Sequence, residues 1–168
     1  MAVVTSYGSR IMENLVNSSS VTLADPGEGG GRPRVWVETV ETSAADSSTS
    51  TYHIARLPSN ARILGRSVLS HDALGSTTAT FDIGCFNTSS RTDFTNDDDA
   101  VNNGIVCSTV GTKDFISDRS LWGQRLWEFI NGQTTDPKCD IDIKLTLKDA
   151  HLSSGAGTVT AEIYYTTD

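Results

Sequence analysis

The chain reads as an all-β protein: an antiparallel two-sheet β-sandwich, jelly-roll-like, with one short helix and an extended N-terminal arm. Three observations carry that reading. Apolar and polar residues alternate with period two through most segments from Arg34 onward. The segments between them are rich in Ser, Thr, Asn, Asp and Gly, the residues of turns and solvated sheet faces. The length, 168 residues, suits one domain with its own core and is short for two.

The elements follow in order. RVWVETVET (34–42) is a strand with Val35 and Val37 on one face, Trp36 and Val40 on the other. TYHIARL (51–57) sets Tyr52 and Ile54 against His53, Ala55 and Leu57. PSNA (58–61) is a turn, since Pro58 fixes φ and Asn60 tolerates a left-handed backbone. ARILGRSVLSH (61–71) continues as one strand, and TATFDIGCF (78–86) turns Ala79, Phe81, Ile83 and Cys85 inward. Asn87–Asn103 is a long polar loop, and GIVCSTVGT (104–112) returns as a weak strand. SLWGQRLWEFIN (120–131) is the short helix: Trp122, Leu126, Phe129 and Ile130 fall on one stripe, Ser120 caps the start and Gly132 the end. CDIDIKLTLKD (139–149) buries Ile141, Ile143, Leu145 and Leu147. GTVTAEIYYTT (157–167) buries Val159, Ala161, Ile163 and Tyr165, leaving Thr160, Glu162 and Tyr164 outward. One buried and one wet face per strand is the mark of antiparallel sheets packed as a sandwich.

Two parts are expected: an arm and linker over residues 1–33, and a β-sandwich domain over 34–168. In the arm Val3, Tyr7, Ile11 and Leu15 recur every four residues, which lines one face of a short helix. DPGEGGGRP (25–33) follows as a glycine-proline hinge. Val3, Tyr7, Ile11 and Leu15 are the predicted protein interface, docking on a neighbouring subunit.

The charge, −8, argues against nucleic acid as a partner, because phosphate contacts need basic surface. No run approaches the roughly 18 apolar residues of a membrane span. The start, MAVVTSYGSRIMENLV, lacks the basic and then apolar regions of a signal peptide, so cytoplasmic synthesis and assembly are expected. Cys85, Cys107 and Cys139 form no CxxC and are odd in number, which gives neither a disulfide framework nor a zinc site.

His53, His71 and His151 lack metal-ligand spacing. Two of them lie near carboxylates, in His71-Asp72 and Asp149-Ala150-His151, but no GxSxG accompanies them. Asp97-Asp98-Asp99, with Asp93, Asn96 and Asn102 nearby, offers hard oxygen ligands that suit calcium. Their spacing is not that of an EF-hand loop, and a solvated acidic loop is the simpler reading. GEGGGRP has no lysine-serine and no preceding strand, so it is not a phosphate loop. Tyr164 is outward by parity, with Trp36 and Tyr52 as further surface aromatics, whereas Trp122 and Trp127 are expected in the core. No catalytic, cofactor or metal residue is assigned, and no enzyme activity is expected.

Four segments carry a family resemblance: YHIARLPSNARIL (52–64), TATFDIGCF (78–86), SLWGQRLWEFIN (120–131) and GTVTAEIYY (157–165). Together, over about residues 34–166, they resemble small virion structural proteins of tailed bacteriophages. The resemblance implies a β-sandwich head protein that binds the capsid exterior as a decoration or cement protein. Its implied partners are the major capsid protein and further copies of itself, closed trimers among the arrangements. It transfers no residue with an assigned role. Another virion part (tail, fibre or adsorption protein) and a carbohydrate-binding sandwich module are the alternatives.

Overall fold

The computed structural model of the chain describes residues 32–74, 78–89, 91–148, 152 and 157–167. Nine strands form two antiparallel sheets. They are β1 (Arg34–Thr42), β2 (Thr51–Pro58), β3 (Ala61–Ile63), β4 (Val68–His71), β5 (Thr80–Asn87), β6 (Asp97–Val106), β7 (Gly111–Asp114), β8 (Asp140–Lys148) and β9 (Gly157–Thr167). One sheet runs β1-β9-β4-β7, with β3 also on β9; the other runs β2-β8-β5-β6. β3 and β4 lie end to end along the same flank of β9, so they are two halves of one strand. Counted so, each sheet has four positions, and the chain passes between the sheets in the order of a double Greek key. The topology is a jelly roll.

The parity read from the sequence fixes the core. Ile141, Ile143, Leu145 and Leu147 of β8 face Val159, Ala161 and Ile163 of β9 across the sandwich, all fully buried. Ala79, Phe81, Ile83 and Cys85 join them from β5 and its approach. In β2 a bulge interrupts the register between His53 and Ala55. It puts Ile54 and Ala55 both into the core, so the strict alternation expected there breaks after His53.

The long strand expected over 61–71 is split. Ser67 N–H bonds the Leu64 carbonyl at 2.9 Å and closes a turn at Gly65-Arg66. The indole of Trp122 lies against Gly65, where a Cβ would sit 2.4 Å from Cε2. The polar stretch 87–103 is also only half a loop. Asn87 holds residues 93–96, its side chain donating to the Phe94 carbonyl and accepting from Asp93 N–H at 2.8 Å, with Asn96 accepting its backbone N–H at 2.8 Å. Asp97-Asp98-Asp99 then begins β6, an edge strand with two register shifts against β5.

The expected helix over 120–131 is not α-helical. Two single turns of 3-10 helix, Arg119–Leu121 and Leu126–Phe129, stand in its place. Gly123 adopts φ +81 and Arg125 is extended, bridging antiparallel to Arg62, whose guanidinium bonds the Gly123 carbonyl. A left-handed glycine and an extended residue end helical propagation between the two turns. Asp118, not Ser120, caps the first turn by accepting Ser120 N–H at 2.8 Å. Leu126, Phe129 and Ile130 are buried as expected, but Trp122 is 41% exposed.

β6 folds so closely over β5 that a Cβ on Gly84 would lie 2.4 Å from the Asp97 carbonyl oxygen and the Asp98 Cα. Backbone cannot yield as a side-chain tip can. Gly84→Ala should therefore cost about 1–3 kcal/mol of unfolding free energy in urea. A variant that melts with the wild type would show that β6 does not hold this position.

Candidate interaction surface

The outer face of the β2-β8-β5-β6 sheet carries two charged clusters. In the first, Arg56 donates two hydrogen bonds to Asp142, at 2.6 and 3.1 Å, and His53 Nε2 lies 3.3 Å from the same carboxylate. Asp142 is only 4% exposed although it points away from the core. In the second, Lys148 Nζ sits 2.6 Å from Asp98 and 3.6 Å from Asp82. Asp82, 5% exposed, also accepts Gly104 N–H at 2.8 Å. Burial raises the Asp82 carboxyl above the usual range, the Gly104 N–H and Lys148 offset only part of that, and Asp99 and Asp98 add to it.

Asp97, Asp98 and Asp99 bring three carboxylate oxygens within 4.8 Å of one another. Each is already engaged inside the chain. Asp97 accepts Asn131 N–H at 2.8 Å, Asp98 holds Lys148, and Asp99 accepts the Asn103 amide at 2.8 Å. The run is the start of a strand, not the solvated loop expected.

Among the described residues, His53 and His71 do not converge. His53 lies at the exposed edge of β2, its Nε2 2.9 Å from the Ala55 carbonyl, and His71 is buried on β4 in the other sheet. His151 lies outside the described residues. The three thiols are buried; burial pushes Cys107 up to about 12, Cys139 up to about 11, and Cys85 up as well. Protonated thiols of this kind are poor nucleophiles.

The outer face of the other sheet is different. Val35 and Val37 of β1 are 54% and 58% exposed and stand beside Tyr164 and Glu162 of β9. The Arg66 guanidinium lies over the Tyr164 ring, 4.0 Å from its centroid, and Arg119 lies 5.4 Å from the Trp122 ring. Tyrosine, tryptophan and arginine are the residues most enriched where proteins bind proteins. Strand parity places Tyr164 outward; in β1 it separates Val35 and Val37 from Trp36 and Val40 without assigning either pair to solvent, and the structure exposes the valines. The exposure of Trp122 was hidden by the false helical stripe. Trp36 and Tyr52, expected at the surface, are partly buried and pack on the core; the Tyr52 hydroxyl donates to Asp46. Val3, Tyr7, Ile11 and Leu15 lie outside the described residues.

No family model and no curated protein matches the chain. Solved structures do. A chain of the cyanophage Pam1 capsid asymmetric unit superposes with a TM-score of 0.56 at 17% identity, covering 90% of this chain and 97% of that one. A chain in the capsid of Ralstonia phage GP4 gives 0.55 at 13% identity, covering 93% and 96%. At such identities the likeness is one of fold, and it extends over nearly the whole of each chain.

The raised Asp82 carboxyl gives a prediction with a definite sign. An acid whose pKa is higher folded than unfolded costs stability as pH rises through that interval. Asp82→Asn keeps an acceptor for Gly104 N–H and carries no charge. It should be at least as stable as the wild type at neutral pH. That advantage should vanish in urea melts below the ordinary carboxylate pKa of about 3.9. A neutral-pH loss that disappears in acid would mean the Lys148 pair outweighs the burial.

Proposed function

We propose that the protein is a structural component of a tailed-phage virion that binds the outside of the capsid as a decoration or cement protein. One observation carries the reading. The two capsid chains it resembles are each covered at 96% or more, so they are small single jelly rolls of this size and not domains of larger proteins. The four sequence segments that resemble tailed-phage head proteins point the same way. The role is structural and not catalytic. It requires a rigid body, a surface able to bind protein, and copies that repeat with the symmetry of the shell.

The partners under this reading are the major capsid protein and further copies of this chain, with closed rings such as trimers at symmetric positions. Val3, Tyr7, Ile11 and Leu15 are the proposed docking residues of the arm. Each would contribute about 1.5–3 kcal/mol if fully buried on the shell. Repetition over a symmetric surface would multiply such contacts by avidity.

Binding of the purified chain to phage heads stripped of it tests the proposal. The full chain should bind and raise the temperature at which the heads release their DNA. A chain lacking residues 1–30 should keep the β-rich circular dichroism of the body and lose binding. Equal binding by the truncated chain would remove the arm from the account. Failure of the full chain to bind would remove the capsid role.

A further inference from the structure

Among the described residues the sandwich has four edge strands, and three carry features that discourage pairing with another chain. β2 is bulged at Ile54 and ends in Pro58. β6 shifts register twice against β5. β7 is four residues long and carries Lys113. Bulges, proline, short length and lysine are the common protections of exposed edges. β1 has none of them. It is nine residues long, pairs with β9 without a shift, and exposes Val35 and Val37 by more than half. Among the described residues no strand lies on its other side.

The main chain of β1 is also oriented for pairing. On β9 the Thr158 and Tyr164 carbonyls point toward the β3–β4 flank, where they accept Asp72 and Leu64 N–H. The alternate β9 residues therefore bond β1, through Arg34, Trp36, Glu38 and Val40. That leaves the N–H and C=O groups of Val35, Val37 and Thr39 on the open edge. Thr39 N–H indeed turns to the Glu38 carboxylate, at 3.2 Å.

We propose that β1 pairs antiparallel with β1 of a second copy about a two-fold axis at Trp36, joining the two β1-β9-β4-β7 sheets into one. The strand is complementary to itself in this register. Arg34 faces Glu38 of the second copy, and Val35 faces Val37, each twice by symmetry. Opposite charges and β-branched pairs directly across antiparallel strands are both stabilising. A register centred on Glu38 would instead set Glu38 against itself and Val35 against Glu41. Parallel pairing would place the basic start of one strand beside the basic start of the other. The contact is two-fold, so it is separate from any three-fold closure. It is a property of the isolated chain and does not depend on the virion reading.

Equilibrium sedimentation of the purified full chain tests it with a charge swap. The wild type should sediment toward the mass of two chains. Arg34→Glu and Glu38→Arg should each weaken association about tenfold or more, because the two-fold axis applies every change twice. The double variant R34E/E38R should recover the wild-type mass. Mixing Val35→Cys with Val37→Cys under mild oxidation should yield a cross-linked pair that neither variant forms alone. Both sites are exposed, so thermal melts should be unchanged. A wild-type mass of one chain overturns the proposal. So does a double variant as weak as the singles, an assembly that both single variants leave intact, or cross-linking as strong in either cysteine variant alone.

Discussion

The last two strands hold both sheets together. β9 pairs with β1, β3 and β4, and β8 with β2 and β5. Arg34, at the start of the described body, pairs with Tyr165 near its end. The aliphatic rows of β8 and β9 face each other across the sandwich and are wholly buried. No sub-assembly of earlier strands can form either sheet without them. Such a fold closes slowly, because long loops must be ordered before their contacts form. It also opens cooperatively.

Much of this was legible in the sequence because both partners of the core alternate strictly. Period two placed the inward rows of β8 and β9, with Tyr165 only partly buried at the end of its row; in β1 it separated two faces without orienting them. What failed was local pattern overruled by tertiary contact. Trp122, Leu126, Phe129 and Ile130 match a helical stripe, yet Gly123 and the Arg62–Arg125 bridge hold the segment as two short turns. Asp97-Asp98-Asp99 has poor strand propensity, yet Asn131 N–H, Lys148 and the partner strand β5 hold it in the sheet. Gly65 split a strand because Trp122, more than fifty residues later in the sequence, occupies its side-chain space. Parity set Val35 and Val37 on one face of β1, apart from Trp36 and Val40. Neither their exposure nor their edge position could be read from it, since both depend on how the strand sits in the fold.

The two faces of the sandwich differ in what they can do. On the β2-β8-β5-β6 face, nearly buried Asp142 and Asp82 are tied to Arg56 and Lys148, so most of its polar groups are already satisfied. On the other face the Arg66 guanidinium lies over Tyr164, Arg119 lies beside Trp122, and the two valines are more than half exposed. One face is charged and internally paired; the other is aromatic and, among the described residues, open at its β1 edge. The whole-chain likeness to two phage capsid chains is a likeness of fold.

The most direct test is the copy number of this protein in gradient-purified phage particles, measured by quantitative mass spectrometry against the major capsid protein. A shell-coating role predicts a ratio near one, or a simple fraction set by the symmetry of the shell. A handful of copies per particle would move the protein to the portal, tail or fibres. Absence from the particle would contradict the structural role itself.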